Sequence, residues 1–374
     1  MNEVAKKITE EIRARGPISF ARFMELALYC PVYGYYEREQ DTPGRAGDYY
    51  TSVSVGSLFG DLLALQFAEW LEEILRLDAQ TPPPGAPGRP VGMIEGGAHD
   101  GQLALDVLSC FRQRRPELLA RVEYWIVEPS PRRRAWQERR LLEFGPKVRW
   151  VAQLGELPRG LLGVLFSNEL LDAMPVRRLS WDARARRWCE WGVGLDGERF
   201  AWAKMLDSPT APVLPGQWER LLRALPDGFT LDTAPAAEAW WREAANVLDQ
   251  GRLLTIDYGL TAEELFAPER KDGTLRAYSR HAQRADVLAR PGAQDLTAHL
   301  NFSALQAAGE AVGLETETFT TQEAFLTRIA ARVWEGKAAL GEWTPARTRQ
   351  FRTLTHPQLL GRAFRVLVQR RVRS

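Results

Sequence analysis

The chain is poor in cysteine, lysine and histidine and has no long apolar run. Its three cysteines, Cys30, Cys110 and Cys189, are scattered and odd in number. That excludes a disulfide framework or a CxxC metal site and fits a reducing compartment. Only four histidines occur in 374 residues. His281 and His299 are the pair that could approach in space, but no helical metal-ligand spacing is present, so no metal is expected. No segment reaches the roughly eighteen apolar residues of a membrane span. A formal net charge of +1 gives no global field for nucleic acid or an anionic surface, and neither is an expected partner. Only six of the 49 basic residues are lysine, which reads as genome composition rather than a binding surface. The N-terminal MNEVAKKITEEIRARG carries Glu3, Glu10 and Glu11 and no apolar core. It resembles neither a signal peptide nor an acid-poor transit peptide, so a cytoplasmic location is expected.

What is present is ordinary globular composition, 45% hydrophobic and 26% charged, with a clear order of elements. Helical spacing over Val4–Arg15, Phe20–Tyr29 and the SLFGDLLALQFAEWLEEILRL segment makes residues 1–80 an N-terminal helical region with a Tyr-rich loop. TPPPGAPGRP (81–90) is a linker by composition. Strands at Val91–Glu95, Glu123–Glu128, Lys147–Val151 and Gly163–Ser167 then alternate with helices at Gly101–Arg114 and Ser130–Phe144. That predicts a parallel α/β sheet whose first part spans 81–174. Residues 175–250 read as an inserted subdomain, a period-2 β-meander with an Asp-Gly turn followed by helices near Gly216–Leu225 and Ala236–Leu248. The strand Gly251–Gly259 resumes the α/β rhythm, and 251–374 form the second part of the sheet domain.

The most informative stretch is Met93–Leu105, MIEGGAHDGQLAL: strand, acid, glycine turn, helix. Glycines at 96, 97 and 101 let the backbone approach a ligand closely, and open α/β sheets bind ligands at the carboxyl ends of their strands. Glu128 ends the next strand, where an acid can accept from both hydroxyls of a ribose. The plain alternative is a structural turn with a surface acid. The dinucleotide fingerprint G-x-G-x-x-G is not satisfied by Gly97-Ala-His-Asp-Gly101, which disfavours a nicotinamide-dependent oxidoreductase. An acid followed by a glycine turn suits S-adenosylmethionine better, because that molecule has no pyrophosphate to cradle.

SNELLDAMPV (Ser167–Val176) places Asn168, Glu169 and Asp172 at the same sheet edge. A guanidinium stays charged below a pKa of about 12, and paired carboxylates can hold it by bidentate hydrogen bonds. Held so, one nitrogen is aligned for in-line attack on a methyl sulfonium, which is catalysis by positioning. The alternative is that Asn168 and Asp172 cap a short helix. Asp48 and Thr51, in GDYYTS before the long helix, could close over a cofactor or simply pack. Asp257-Tyr258-Gly259 reads more as a turn than as a contact, and Arg132–Arg134 with Arg139–Arg140 as a solvated helix face.

In this order the blocks ISFARFMELALYCPVYGYY, GDYYTS, SLFGDLLA, VEPSP, NELLDAMPV, IDYG, GTLRAY and DLTAHLNF resemble the MidA-like family of S-adenosylmethionine-dependent methyltransferases, which includes the mitochondrial complex I assembly factor. The resemblance covers most of the chain. It implies a Rossmann-like, seven-stranded class I methyltransferase sheet with an N-terminal helical extension and an inserted α/β subdomain. It also implies cofactor contacts at Glu95, Gly97, Gly101 and Glu128, with Asp48 and Thr51, and His99 stands within the same turn. Protein arginine methylation is associated with the mitochondrial branch and suits Asn168, Glu169 and Asp172 as the catalytic set. The partners it allows are a protein substrate, such as a respiratory-complex subunit, and a second copy of the chain in a homodimer. One departure matters. The family turn reads E-x-G-P-G-x-G, and here Ala98 and His99 replace the proline and the middle glycine. That departure motivates the rival reading, an assembly factor that keeps the fold and binds a partner without catalysis.

Overall fold

The computed structural model describes residues 2–38, 51–80, 91–205, 222, 224–279, 282–336 and 338–372. The linker at 81–90, most of the helix expected over 216–225, Asp48 and His281 lie outside the described residues.

The first two helices start on side-chain caps. α1 (Glu3–Arg15) begins where Asn2 accepts from the Ala5 amide, and α2 (Phe20–Tyr29) where Ser19 accepts from that of Arg22. Such caps satisfy amides that a helix start leaves open. Between them lies β1 (Ile18–Ser19). Val4, Ile8 and Ile12 form one helical stripe of α1 and are buried with Phe20, Phe23 and Ala27 of α2.

The long α3 (Leu58–Gln80) leads to β2 (Val91–Gly96), α4 (Gln102–Arg114), α5 (Pro116–Arg121), β3 (Glu123–Val127), α6 (Pro131–Arg140), β4 (Val148–Val151) and β5 (Leu161–Asn168). The expected meander follows as β6 (Arg177–Asp182), β7 (Arg187–Asp196) and β8 (Arg199–Lys204), with Gly197 at positive φ in the last hairpin. Then come β9 (Thr230–Thr233), α7 (Pro235–Val247), β10 (Leu248–Leu260), α8 (Ala262–Leu265), β11 (Arg276–Ser279), β12 (Ala282–Arg284), β13 (Asp295–Thr297) and β14 (Leu300–Asn301). The chain closes with α9 (Phe302–Glu310), β15 (Glu315–Thr321), α10 (Gln322–Trp334), α11 (Pro345–Thr355) and β16 (Phe364–Arg371).

Seven strands form the main sheet in the order β4-β3-β2-β5-β10-β16-β15, with β14 added beside the end of β10. β2 to β5 and β10 are parallel, whereas β16 is antiparallel to both β10 and β15. Both faces of the sheet are covered, as parallel strands require. On β5, Leu162, Val164 and Phe166 enter the core shared with α3, α4, α10 and α11. Leu161 and Leu165, on the other face, enter the core shared with α7 and α9. From β2 the chain moves outward to β3 and β4, then crosses back to β5 and on to β10. The crevice outside the carboxyl ends of β2 and β5 is therefore the topological switch point, where open α/β sheets bind ligands.

A second sheet runs β1-β7-β6-β9, with β8 also on β7. Its Val193 shares one apolar cluster with α1, α2, Val176, Leu275, Ala277 and Leu296.

Candidate active site

The turn after β2 is left-handed at Gly97 (φ 69°), His99 (φ 48°) and Gly101 (φ 86°). A Cβ on Gly97 would stand 2.7 Å from Leu170 Cδ1, closer than side chains approach, so this turn and the loop after β5 are in contact. His99 takes the conformation that glycine otherwise supplies, and histidine is among the residues that tolerate it. Its Nδ1 lies 3.7 Å from Asp100 Oδ1, while Asp100 Oδ2 pairs with Arg140 at 2.8 Å. Burial pushes the Asp100 carboxyl up, but His99 and Arg140 bring it below the ordinary range. Glu95 is buried, and its Oε2 accepts from Tyr124 Oη at 2.7 Å. Burial pushes its carboxyl up to about 8 against that hydrogen bond.

Glu128 follows β3. Its Oε1 accepts from the Ser130 amide at 2.9 Å and its Oε2 from Gln137 Nε2 at 3.0 Å. Pro131 and the Ser130 cap start α6 directly beyond it. Arg133 is buried there, not solvated: its Nε donates to the Tyr36 carbonyl at 2.9 Å, and its guanidinium lies over the Tyr36 ring. The solvated-face expectation fails at this residue because the segment after α2 packs on the start of α6.

No helix follows β5 before β6, so Asn168 and Asp172 cap none. The chain instead turns at Glu169 with φ 53°, its amide donating to the Ile256 carbonyl at 3.0 Å. Glu169 Oε1 accepts from the Ser52 amide at 3.2 Å and from Asn168 Nδ2 at 3.1 Å. Burial, then the neighbouring Asp172, pushes its carboxyl up to about 8. Asp172 is buried against Asp257, and burial raises both carboxyls. Asp257 is fully buried at the end of β10 and accepts from the Leu171 amide at 2.9 Å and the Tyr258 amide at 2.8 Å. Among the described residues, none of Glu169, Asp172 and Asp257 is paired with a lysine or arginine. Two tyrosines of the N-terminal region reach the same edge. Tyr29 Oη donates to the Ala173 carbonyl at 2.9 Å and Tyr36 Oη to Asp295 Oδ1 at 2.8 Å.

Asn168, Glu169 and Asp172 are thus brought together beside the Gly97–Gly101 turn, with Glu128 across the crevice. Thr51 is turned to its own segment, its hydroxyl accepting from the Ser54 amide at 3.1 Å. Its neighbour Ser52, the last residue of the GDYYTS block, is the residue that reaches Glu169, though the sequence singled out only Asp48 and Thr51. Asp257 had a signal, an acid closing a strand at the right edge. Gln137 had none, being one polar residue in the arginine-rich α6.

The donors fit S-adenosylmethionine. The glycine turn packs tightly on the loop after β5 and on α6, which leaves its backbone at the sheet edge, and Glu128 has a carboxylate for ribose hydroxyls. Asn168 Oδ1 is buried without a donor among the described residues, where an ammonium group could serve. A seven-stranded sheet with this reversal and this acid-bearing turn defines a class I methyltransferase. Residues 62–320 match the family described as "Putative S-adenosyl-L-methionine-dependent methyltransferase". The chain belongs to that family, and S-adenosylmethionine is its cofactor.

A crystal structure of a superfamily member from Burkholderia thailandensis, bound to S-adenosyl-homocysteine, is similar over 98% of this chain and 92% of that one, with 30% identity and a TM-score of 0.80. The mitochondrial protein arginine methyltransferase NDUFAF7 of Danio rerio is 27% identical, covering 81% of this chain and 71% of its own. The Drosophila melanogaster homologue is 28% identical, with 83% and 70% covered. These relatives are named mitochondrial, which overturns the cytoplasmic expectation. The composition behind it has another cause. α1 packs Val4, Ile8 and Ile12 into a core, so its acids and spacing report an amphipathic structural helix and carry no information on location. Among the described residues no helix is long and apolar enough to cross a membrane.

Proposed function

We propose that the chain methylates arginine side chains of a protein, with Glu169 and Asp172 receiving the guanidinium and Asn168 orienting Glu169. The observation that carries this reading is the cluster of Glu169, Asp172 and Asp257, buried carboxyls at the switch point with no lysine or arginine paired to them among the described residues. Crowded acids whose affinity for protons is raised by burial are suited to a delocalised cation that brings several donors at once. The names of the curated relatives support the same acceptor.

When bound, the cofactor supplies an electrophilic methyl group on sulfur. Glu169 and Asp172 hold the guanidinium so that one nitrogen faces that carbon. The new N–C bond replaces the S–C bond, and the nitrogen gives up a proton. Glu169 Oε2 accepts no hydrogen bond among the described residues, and a carboxyl pushed up to about 8 by burial takes that proton in its ionised form, which a bound guanidinium favours. Asp48, Thr51, Glu95, Gly97, His99, Gly101 and Glu128 are proposed as the cofactor side of the crevice. A respiratory-complex subunit as acceptor and a homodimeric state are proposed from the family resemblance, and affinity capture and light scattering test them.

His99 motivated the non-catalytic rival, and its left-handed φ removes that motive. The direct test is transfer of labelled methyl groups to arginine peptides, read by mass spectrometry. Glu169→Gln is expected to lower turnover by about 10²-fold or more while S-adenosyl-homocysteine binding stays within about threefold of wild type. Methyl groups found on lysine, or undiminished turnover in the variant, would overturn the reading.

A further inference from the structure

Gln137 is fully buried in the middle of α6, and its amide spans three elements. Nε2 donates to Glu128 Oε2 at 3.0 Å and to the His99 carbonyl at 2.9 Å, and Oε1 accepts from Trp150 Nε1 at 3.0 Å. Both amide hydrogens are used, and the third bond fixes which way the amide faces: indole nitrogen only donates, so it must meet Oε1. The approach is close on the far side too, since a Cβ on Gly101 would stand 3.3 Å from Gln137 Cα. A buried amide is costly unless its hydrogen bonds are made, and here both amide hydrogens and the oxygen have partners. Here the partners are the left-handed residue of the glycine turn and the acid proposed to hold the ribose.

We propose that Gln137 is a positioning residue for the cofactor: it fixes the distance between the glycine turn and Glu128 and holds the Glu128 carboxylate in one orientation. This rests on the reading of Glu128 as a cofactor contact. Each Glu128 oxygen holds one fixed donor, the Ser130 amide on Oε1 and Gln137 on Oε2. Each therefore keeps lone-pair capacity for one of two adjacent hydroxyls, so the structure matches a vicinal diol. Burial raises the Glu128 carboxyl; the Ser130 amide, Arg133 and Gln137 oppose that rise, while Glu37 adds to it. Removing the Gln137 amide raises it further and frees the carboxylate to rotate. Through the His99 carbonyl, the same amide supports the one non-glycine residue that this turn carries at positive φ.

The test is calorimetric binding of S-adenosyl-homocysteine between pH 6 and 9 by wild type, Gln137→Met, Gln137→Glu and Glu128→Gln. Gln137→Met is expected to bind about tenfold more weakly near neutral pH, with an affinity that rises with pH more steeply than wild type because Glu128 loses its proton later. Gln137→Glu should show the opposite slope. Its protonated acid still donates to Glu128 at pH 6, and two like charges repel at pH 9. A role in packing alone does not produce slopes of opposite sign. Trp150→Phe, which frees the amide to turn while leaving it in place, gives a milder weakening if Gln137→Met does not fold. Affinities and slopes equal to wild type in the Gln137 and Trp150 variants, with Glu128→Gln weakened, would overturn this inference alone. Unchanged binding by Glu128→Gln would instead overturn the reading of Glu128 on which it rests.

Discussion

At the scale of single residues, the turn after β2 contains two kinds of left-handed position. Gly97 needs both its φ of 69° and its missing side chain, since Leu170 Cδ1 would stand 2.7 Å from a Cβ. Gly97→Ala is expected to cost about 2–4 kcal/mol, adding left-handed strain to overpacking. It should also weaken S-adenosyl-homocysteine binding by pushing Leu170 into the Asn168–Asp172 loop. His99→Gly should stay within about 1 kcal/mol of wild type, because relief of strain is opposed by the freedom glycine adds to the unfolded chain. Urea unfolding of both variants with the same calorimetry checks the contrast. A Gly97→Ala protein as stable as His99→Gly would show that the turn tolerates a side chain at 97. The oddity of His99 was visible in the sequence; its φ was not, since only the closed turn sets it.

At the scale of elements, β10 holds the loop that follows β5. Asp257 accepts from the Leu171 and Tyr258 amides, and Asp172 lies against it. Asp257→Ala leaves the buried Leu171 amide and the half-buried Tyr258 amide without this acceptor, at about 1–3 kcal/mol each. Relief of acid crowding offsets only part of that, since burial already keeps the pair from being doubly charged. A net loss of about 2–4 kcal/mol is expected in chemical denaturation, with single-turnover methyl transfer slowed and cofactor binding retained. Stability within about 0.5 kcal/mol of wild type would show that the loop holds itself. The spacing places β10 at Gly251–Gly259, and the strand runs Leu248–Leu260, because its start is set by pairing with β5 and its end by pairing with β14 rather than by side-chain pattern. The helix expected to reach Phe144 stops at Arg140. Gly145 at φ 48° and Pro146 shape the tighter turn that follows.

At the scale of the whole molecule, the buried acids set the response to pH. Glu95 and Glu169 are both pushed up to about 8, chiefly by burial. Over the range between the ordinary carboxylate value and 8, the native state binds more protons than the unfolded chain, so stability falls as pH rises. His299 acts in the opposite sense below its ordinary value, being pushed down to about 4 by burial. The window of about 6.5 to 8 therefore isolates the acids. Differential scanning calorimetry should show Tm decreasing across it, with a flatter slope in Glu169→Gln. A Tm that rises over this window, or an unchanged slope in the variant, would remove these acids as the cause. An arginine substrate supplies the missing positive charge, so its affinity should rise over the same interval.

Much of the fold was legible in the sequence because its signals are local. Apolar runs, helical spacing, the Asp-Gly hairpin and the glycine turn each act within a few residues, and they placed Glu95, Glu128 and Asn168–Asp172 at strand ends. The tertiary structure decided which strand ends meet. The order β4-β3-β2-β5-β10-β16-β15 depends on crossovers and on burial of both sheet faces, which no window of sequence contains. That order brings Asp257 to Asp172, Ser52 to Glu169, and Gln137 to both Glu128 and His99. Hydrogen bonds between distant segments carry no periodicity, so the residues that hold the site together became visible only once the sheet had closed around them.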